Sequence, residues 1–197
     1  MEQASHNNDE LLNKKIATQK AVRDFIILLL VFALVAATAF YLGRTYFESW
    51  PIVGSSMEPN IHDKDRVLLV KTKKLDYEDI IIFKTDLDNK DNFSGKYLIK
   101  RIVGKPGDIM EMRYVDAVSG WKVYRNGEVV NDSYIRETIT EYTAFTEVVP
   151  EGHYFILGDN RNNSHDSHIA GFYADENEVV GKVLARYKGF FDFSFLI

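Results

Sequence analysis

The stretch Tyr97-Leu98-Ile99-Lys100-Arg101-Ile102-Val103-Gly104-Lys105-Pro106-Gly107-Asp108 decides how this chain folds. It opens as a strand, aromatic and aliphatic residues around two cations, and Pro106-Gly107-Asp108 ends it with a turn. Alternation sends Lys100 to one face and Arg101 to the other, so at least one charged side chain enters the interior. The plainer alternative is an edge strand whose lysine snorkels to solvent. Outward from this stretch, residues 66–71 (RVLLVK), 80–83, 121–124, 153–157 and 179–187 also read as short strands. Asp63-Lys64-Asp65, Asn126-Gly127 and Pro150-Glu151-Gly152 separate them. Asn126-Gly127 between two apolar runs predicts a type I′ hairpin. After residue 50 no segment holds a helical period over a dozen residues. The expected fold class is mainly β, preceded by one transmembrane helix. A small β subdomain is expected as an insertion at about 110–147.

Residues 25–42 read FIILLLVFALVAATAFYL, without charge. The run is near the lower limit for crossing the hydrocarbon core as a helix. Lys14, Lys15, Lys20 and Arg23 precede it, Glu48 follows, and Tyr41, Tyr46 and Trp50 suit the far interface. The expected layout is a loosely ordered cytoplasmic tail over 1–24, a single span over 25–42 in the cell membrane, and an extracytoplasmic domain over 50–197. Ala37-Thr38-Ala39 also fits the small-x-small site of a cleaved secretory signal, but the apolar run continues through Leu42 and is long for one. A length of 197 residues suits one span plus one domain. The net charge of -5 offers no basic field for nucleic acid. The chain has no cysteine, which excludes a thiol nucleophile, and its five scattered histidines show no metal-ligand spacing. No metal or other cofactor is expected.

Two further segments put reactive side chains on irregular backbone. Gly54-Ser55-Ser56-Met57-Glu58-Pro59 places a serine in a turn, where most serines are caps or turn formers. Gly158-Asp159-Asn160-Arg161-Asn162-Asn163-Ser164-His165-Asp166-Ser167 follows a strand, where a solvated polar loop is the ordinary reading.

Taken together, the segments resemble the bacterial type I signal peptidase (leader peptidase) family in its short Gram-positive-like form. The resemblance rests on Ser56-Met57-x-Pro59, Asp65-Arg66-Val67, Lys100-Arg101-Ile102-Val103-Gly104-x-Pro106-Gly107-Asp108 and Gly158-Asp159-Asn160-Arg161-x-Asn163-Ser164-x-Asp166-Ser167, in this order behind one span. It implies an antiparallel β catalytic core with a variable insertion. It further implies a membrane-anchored serine endopeptidase that removes signal peptides from exported precursors. Ser56 would be the nucleophile, Lys100 its general base and Ser164 the hydroxyl that orients Lys100. Arg101, Asp159 and Asp166 would form the ion-pair framework.

A lysine serves as a base only when uncharged, so Lys100 needs burial to bring its pKa from about 10.4 to about 7–8. Leu98, Ile99, Ile102 and Val103 offer desolvation, and Arg101 would add like-charge pressure if close. The expected contact of Lys100 is a hydroxyl, Ser164, and not a carboxylate. The Ser56 N–H is the natural oxyanion donor. Some relatives add a serine two positions before the nucleophile, where this chain has Gly54. Relatives usually follow the Asp-Ser pair with Arg, where this chain has His168; Asp166 is therefore expected to pair with Arg101 or Arg161. Shallow apolar pockets from Ile52, Val53, Ile80, Ile82 and Ile99 would admit Ala-x-Ala ends, the peptide adding as a strand beside 51–54 and 97–99. Expected partners are signal peptides and membrane lipid, which Phe190, Phe191, Phe193 and Phe195 would touch. The alternatives are a Ser-His-Asp hydrolase, a self-cleaving repressor and a degenerate homologue acting as an assembly factor for surface proteins or pili.

Overall fold

The computed structural model describes residues 2–85, 97–140, 142–169, 171–189 and 192–196, with side chains from Lys14 onward. Phe190 and Phe191 lie outside the described residues. Two units are distinct, one ending at Thr45 and one beginning at Tyr46.

The first unit is helix α1, Glu2–Tyr46. The segment expected to be a loose tail is therefore helical. Its Glu, Gln, Lys, Leu and Ala are strong helix formers, and neither glycine nor proline occurs before Gly43. Lys14–Tyr46 is long and apolar enough to cross a membrane, with mean hydropathy 2.8 over its most apolar window, and none of that window is buried by protein. Such a helix suits a single-pass anchor. The full-length chain is accordingly expected to sediment with membranes and to resist alkaline carbonate extraction. Recovery of a soluble fragment beginning near Phe40 would contradict this.

The second unit is built of antiparallel strands. The main sheet holds β1 (Phe47–Pro51), β2 (Arg66–Val70), β3 (Ile80–Lys84), β4 (Tyr97–Gly104), β9 (His153–Leu157), β10 (Ala174–Asp175), β11 (Val179–Tyr187) and β12 (Phe193–Phe195). Their order is β1-β2-β11-β3-β4-β9-β10, with β12 on β11. A second sheet, ordered β7-β6-β5-β8, lies between β4 and β9 in the chain. Its strands are β5 (Ile109–Asp116), β6 (Gly120–Arg125), β7 (Glu128–Val129) and β8 (Phe145–Val148). The β6–β7 hairpin has positive φ at both Asn126 (53°) and Gly127 (84°), the type I′ signature.

Both faces of the main sheet's centre are covered. Ile80 and Ile82 enter a core with Ile52, Met57, Ile61, Val67, Leu69, Ile99 and Val183. Ile81 and Phe83 enter another with Ile102 and Ile156. β4, which carries Lys100 and Arg101, pairs with β3 on one side and, from Arg101 onward, with β9 on the other. Both are buried, and the snorkelling alternative fails for want of nearby water.

Candidate active site

Ser56 lies in the turn between β1 and β2. Ile52 holds the first leg, its N–H donating to Asp65 O at 2.9 Å and its carbonyl accepting from Lys64 N at 3.0 Å. Gly54 has φ 100°, a conformation that favours glycine, and its N–H donates to Asp63 Oδ1 at 2.9 Å. A serine there would be strained. On the second leg, Met57 and Ile61 are buried in the core, and Ile61 N donates to Met57 O at 2.9 Å. The turn is thus anchored on both sides, while the Ser56 N–H donates to no group among the described residues.

Lys100 reaches this turn from the middle of β4, where it pairs with Ile81. Its Nζ donates to Ser56 Oγ at 2.8 Å, and the residue is 3% exposed. Burial pulls the Lys100 pKa down to about 8, against weaker upward pulls from Asp166 and Asp159. A lysine with that value is uncharged in roughly one molecule in ten at pH 7, against fewer than one in a thousand for a free one. When the amine is uncharged the contact reverses, and the hydroxyl donates to the nitrogen lone pair. Arg101 adds no like-charge pressure, contrary to the expectation. Asp159 neutralises it, accepting from Nε at 2.8 Å and Nη2 at 2.6 Å.

The loop after β9 fastens the turn. Asn160 N donates to Ser56 O and Asn160 Nδ2 to Ser55 O, both at 3.0 Å, and Asn163 Nδ2 donates to Ser55 Oγ at 3.0 Å. Gly158 has no space for a side chain. An added Cβ would stand 2.3 Å from Ser164 Oγ and 2.5 Å from Ser56 O. Ser164 Oγ is buried without a hydrogen-bond partner; it lies close enough to Asp166 to help hold that carboxyl down, yet bonds neither it nor Lys100. The hydroxyl on Lys100 is therefore that of Ser56, not Ser164.

Asp166 is fully buried and contacts neither Arg101 nor Arg161 among the described residues, so the expected pairing is wrong. Arg101 is engaged by Asp159, and Arg161 by Asp132 at 3.2 Å. Asp166 instead accepts from Gly158 N at 2.8 Å and His168 Nδ1 at 2.8 Å. Since a carboxylate only accepts, Nδ1 carries the proton. Burial pushes the Asp166 carboxyl up, but the His168 bond and the charge of Lys100 more than offset it, leaving it below the usual value.

The proposed pocket residues separate. Ile52, Ile80, Ile82 and Ile99 share one core and are at most 9% exposed, whereas Val53 is 82% exposed and outside it. The isoleucines are buried core, not open walls. β4 pairs with β3 over 97–101 but with β9 only from Arg101 onward. The backbone of residues 97–99 thus presents a free edge beside Lys100. Phe193 and Phe195 are exposed on β12.

Several supports of the site carry no local pattern that marks them. Asn60 Nδ2 donates to Asp159 Oδ2 at 2.8 Å and to Tyr134 O at 2.7 Å. The Tyr134 ring lies 4.1 Å from the Arg101 guanidinium, whose Nη1 donates to Glu78 O at 2.7 Å. Asn160 and Asn163 stood within a recognised motif, but Asn60, Glu78 and Tyr134 lie in segments without any signal.

The family model described as signal peptidase, peptidase S26, matches residues 22–188. Signal peptidase I U of Bacillus subtilis is 31% identical over 183 residues, covering 86% of this chain and 91% of its own. A probable signal peptidase I-2 of Synechocystis is 37% identical, with 78% and 70% covered. Signal peptidase IB of Staphylococcus aureus is 29% identical, with 79% and 85% covered. A crystal structure of a signal peptidase I from Enterococcus faecalis aligns with TM-score 0.43 and 29% identity, over 55% of this chain and 96% of that one.

Proposed function

Since the chain belongs to the signal peptidase family, peptidase S26, and is a signal-peptide-removing peptidase, we propose that Ser56 and Lys100 are its catalytic pair. One observation carries this reading: a lysine amine 3% exposed and 2.8 Å from a serine hydroxyl. Uncharged Lys100 takes the proton of Ser56 Oγ as the oxygen attacks the scissile carbonyl. The tetrahedral oxyanion receives the Ser56 N–H, which has no acceptor among the described residues. Lys100 then passes the proton to the leaving amine, which departs with the mature protein. The signal peptide remains as an ester on Ser56. Water, deprotonated by the same lysine, releases it as a carboxylate and restores the hydroxyl.

Ser164 supports Lys100 in this scheme. Its unpartnered buried hydroxyl is available to the amine when the Ser56 proton is in transit. Arg101, Asp159 and Asp166 hold the frame. The precursor adds as a strand along the free edge at 97–99, with Val53 opposite, and the buried isoleucines leave depth only for small side chains such as those of Ala-x-Ala. The basic residues before the span put the N-terminus in the cytoplasm and the catalytic unit outside.

The test is the pH dependence of kcat/KM on an Ala-x-Ala precursor. Activity requires the unprotonated amine, and the folded Lys100 pKa is lowered to about 8. Activity is therefore expected to rise about tenfold per pH unit below 8 and to level above it. Ser56→Ala should show no such limb. A limb near neutral pH that survives Lys100 substitution would point to a histidine base and overturn the scheme.

A further inference from the structure

We propose that His168 is a positioning residue of the peptidase reaction, holding Asp166 by an imidazole hydrogen bond that leaves more of the carboxylate's field acting on Lys100 and sets the working range more alkaline than a guanidinium would. The inference rests on the Ser56–Lys100 reading and extends it.

Asp166 is completely buried and takes its hydrogen bonds from Gly158 N, His168 Nδ1 at 2.8 Å and His168 N at 3.3 Å. Gly158 is the residue wedged against Ser164 and the Ser56 carbonyl. Asp166 therefore braces the backbone beneath Ser56, and His168 braces Asp166. The imidazole packs on the Tyr142 ring at 4.7 Å, and its side chain is 26% exposed, so a longer side chain has an exit to solvent.

The charged and titratable groups around this pair are few among the described residues. Tyr142, from the segment before β8, is kept uncharged by burial, and its hydroxyl donates to Arg161 O at 3.0 Å. Arg161 is engaged by Asp132, and Arg101, on β4, by Asp159. Besides His168, Lys100 is the group whose charge acts on Asp166, and that coupling favours the ammonium. An imidazole can give up its charge as pH rises, while a guanidinium keeps its charge throughout. A fixed positive charge on Asp166 would cancel part of its field at Lys100, favour the free amine and move the activity limb toward acid.

The experiment compares pH profiles of kcat/KM for the full-length chain in detergent micelles, as wild type, His168→Arg and His168→Asn, on one Ala-x-Ala precursor. Asn keeps a donor for Asp166 without charge. Its limb is expected to coincide with the wild-type limb. The His168→Arg limb is expected to lie roughly half to one pH unit lower, giving about 3- to 10-fold more activity at pH 7 with KM unchanged. If His168→Arg is unstable by its melting temperature, His168→Lys supplies the same charge. Charged variants that superimpose on wild type, or an Asn variant that shifts as far as they do, would overturn the inference. Lys100→Met run alongside separates the two levels. Surviving activity there defeats the catalytic pair, whereas an inactive Lys100→Met with unshifted His168 variants defeats only the role of His168.

Discussion

Lys100→Met is expected to lower kcat/KM for precursor cleavage by roughly 10⁴-fold or more while the fold keeps its stability. The two halves of that result have separate causes. The amine is the group in hydrogen-bond reach of Ser56 Oγ, at 2.8 Å, and without it the hydroxyl has no base. Lys100 is 3% exposed and has no ion pair among the described residues, so a methionine of similar length removes a buried polar group and leaves the packing of β4 in place. Ser56→Ala should be as inactive. Combining the two should cost little more than either alone, because both remove one proton transfer. Kinetics report the loss, and thermal unfolding reports the retained fold. A variant that keeps more than about a tenth of the activity would show that another base serves Ser56.

The second large effect is on stability. Asp159→Ala is expected to destabilise the catalytic unit by about 3–5 kcal/mol, because it strands Arg101 as a buried, unpaired cation. Asp159 is fully buried, Arg101 is 7% exposed, and two short bonds join them. Asn60 would lose an acceptor as well. For a chain of this size such a loss lowers the melting temperature by roughly 6–20 °C. Combining Asp159→Ala with Arg101→Met should restore much of the loss, since no stranded charge then remains. Destabilisation that is fully additive in the double variant would contradict the pairing.

Much of the site was legible because its chemistry is carried by short contiguous motifs. Lys100 could be placed in a strand from its neighbours, and Ser56 in a turn from the glycine and proline that bracket it. The strands at 153–157 and 179–187 came out at their observed limits. The regions read poorly were those whose pattern is weak. β5 alternates imperfectly, Ile109–Asp116 carrying two acids and an arginine, and β7 and β10 are two residues each. The first turns of α1 lack apolar periodicity, and their helicity rests on propensity alone.

The error at Asp166 has a different origin. Choosing its partner meant weighing two arginines against one histidine, and charge favoured the arginines. Each is already held, Arg101 by Asp159 and Arg161 by Asp132, across separations in the chain that no local pattern reports. Local composition and motif order were enough to say that this is an anchored β-rich peptidase and to single out the serine and lysine proposed as its catalytic pair. Only the folded sheet decided who neutralises whom, which hydroxyl faces the amine and how dry that amine is. Those outcomes depend on distances between residues tens of positions apart, and a linear pattern holds no term for them.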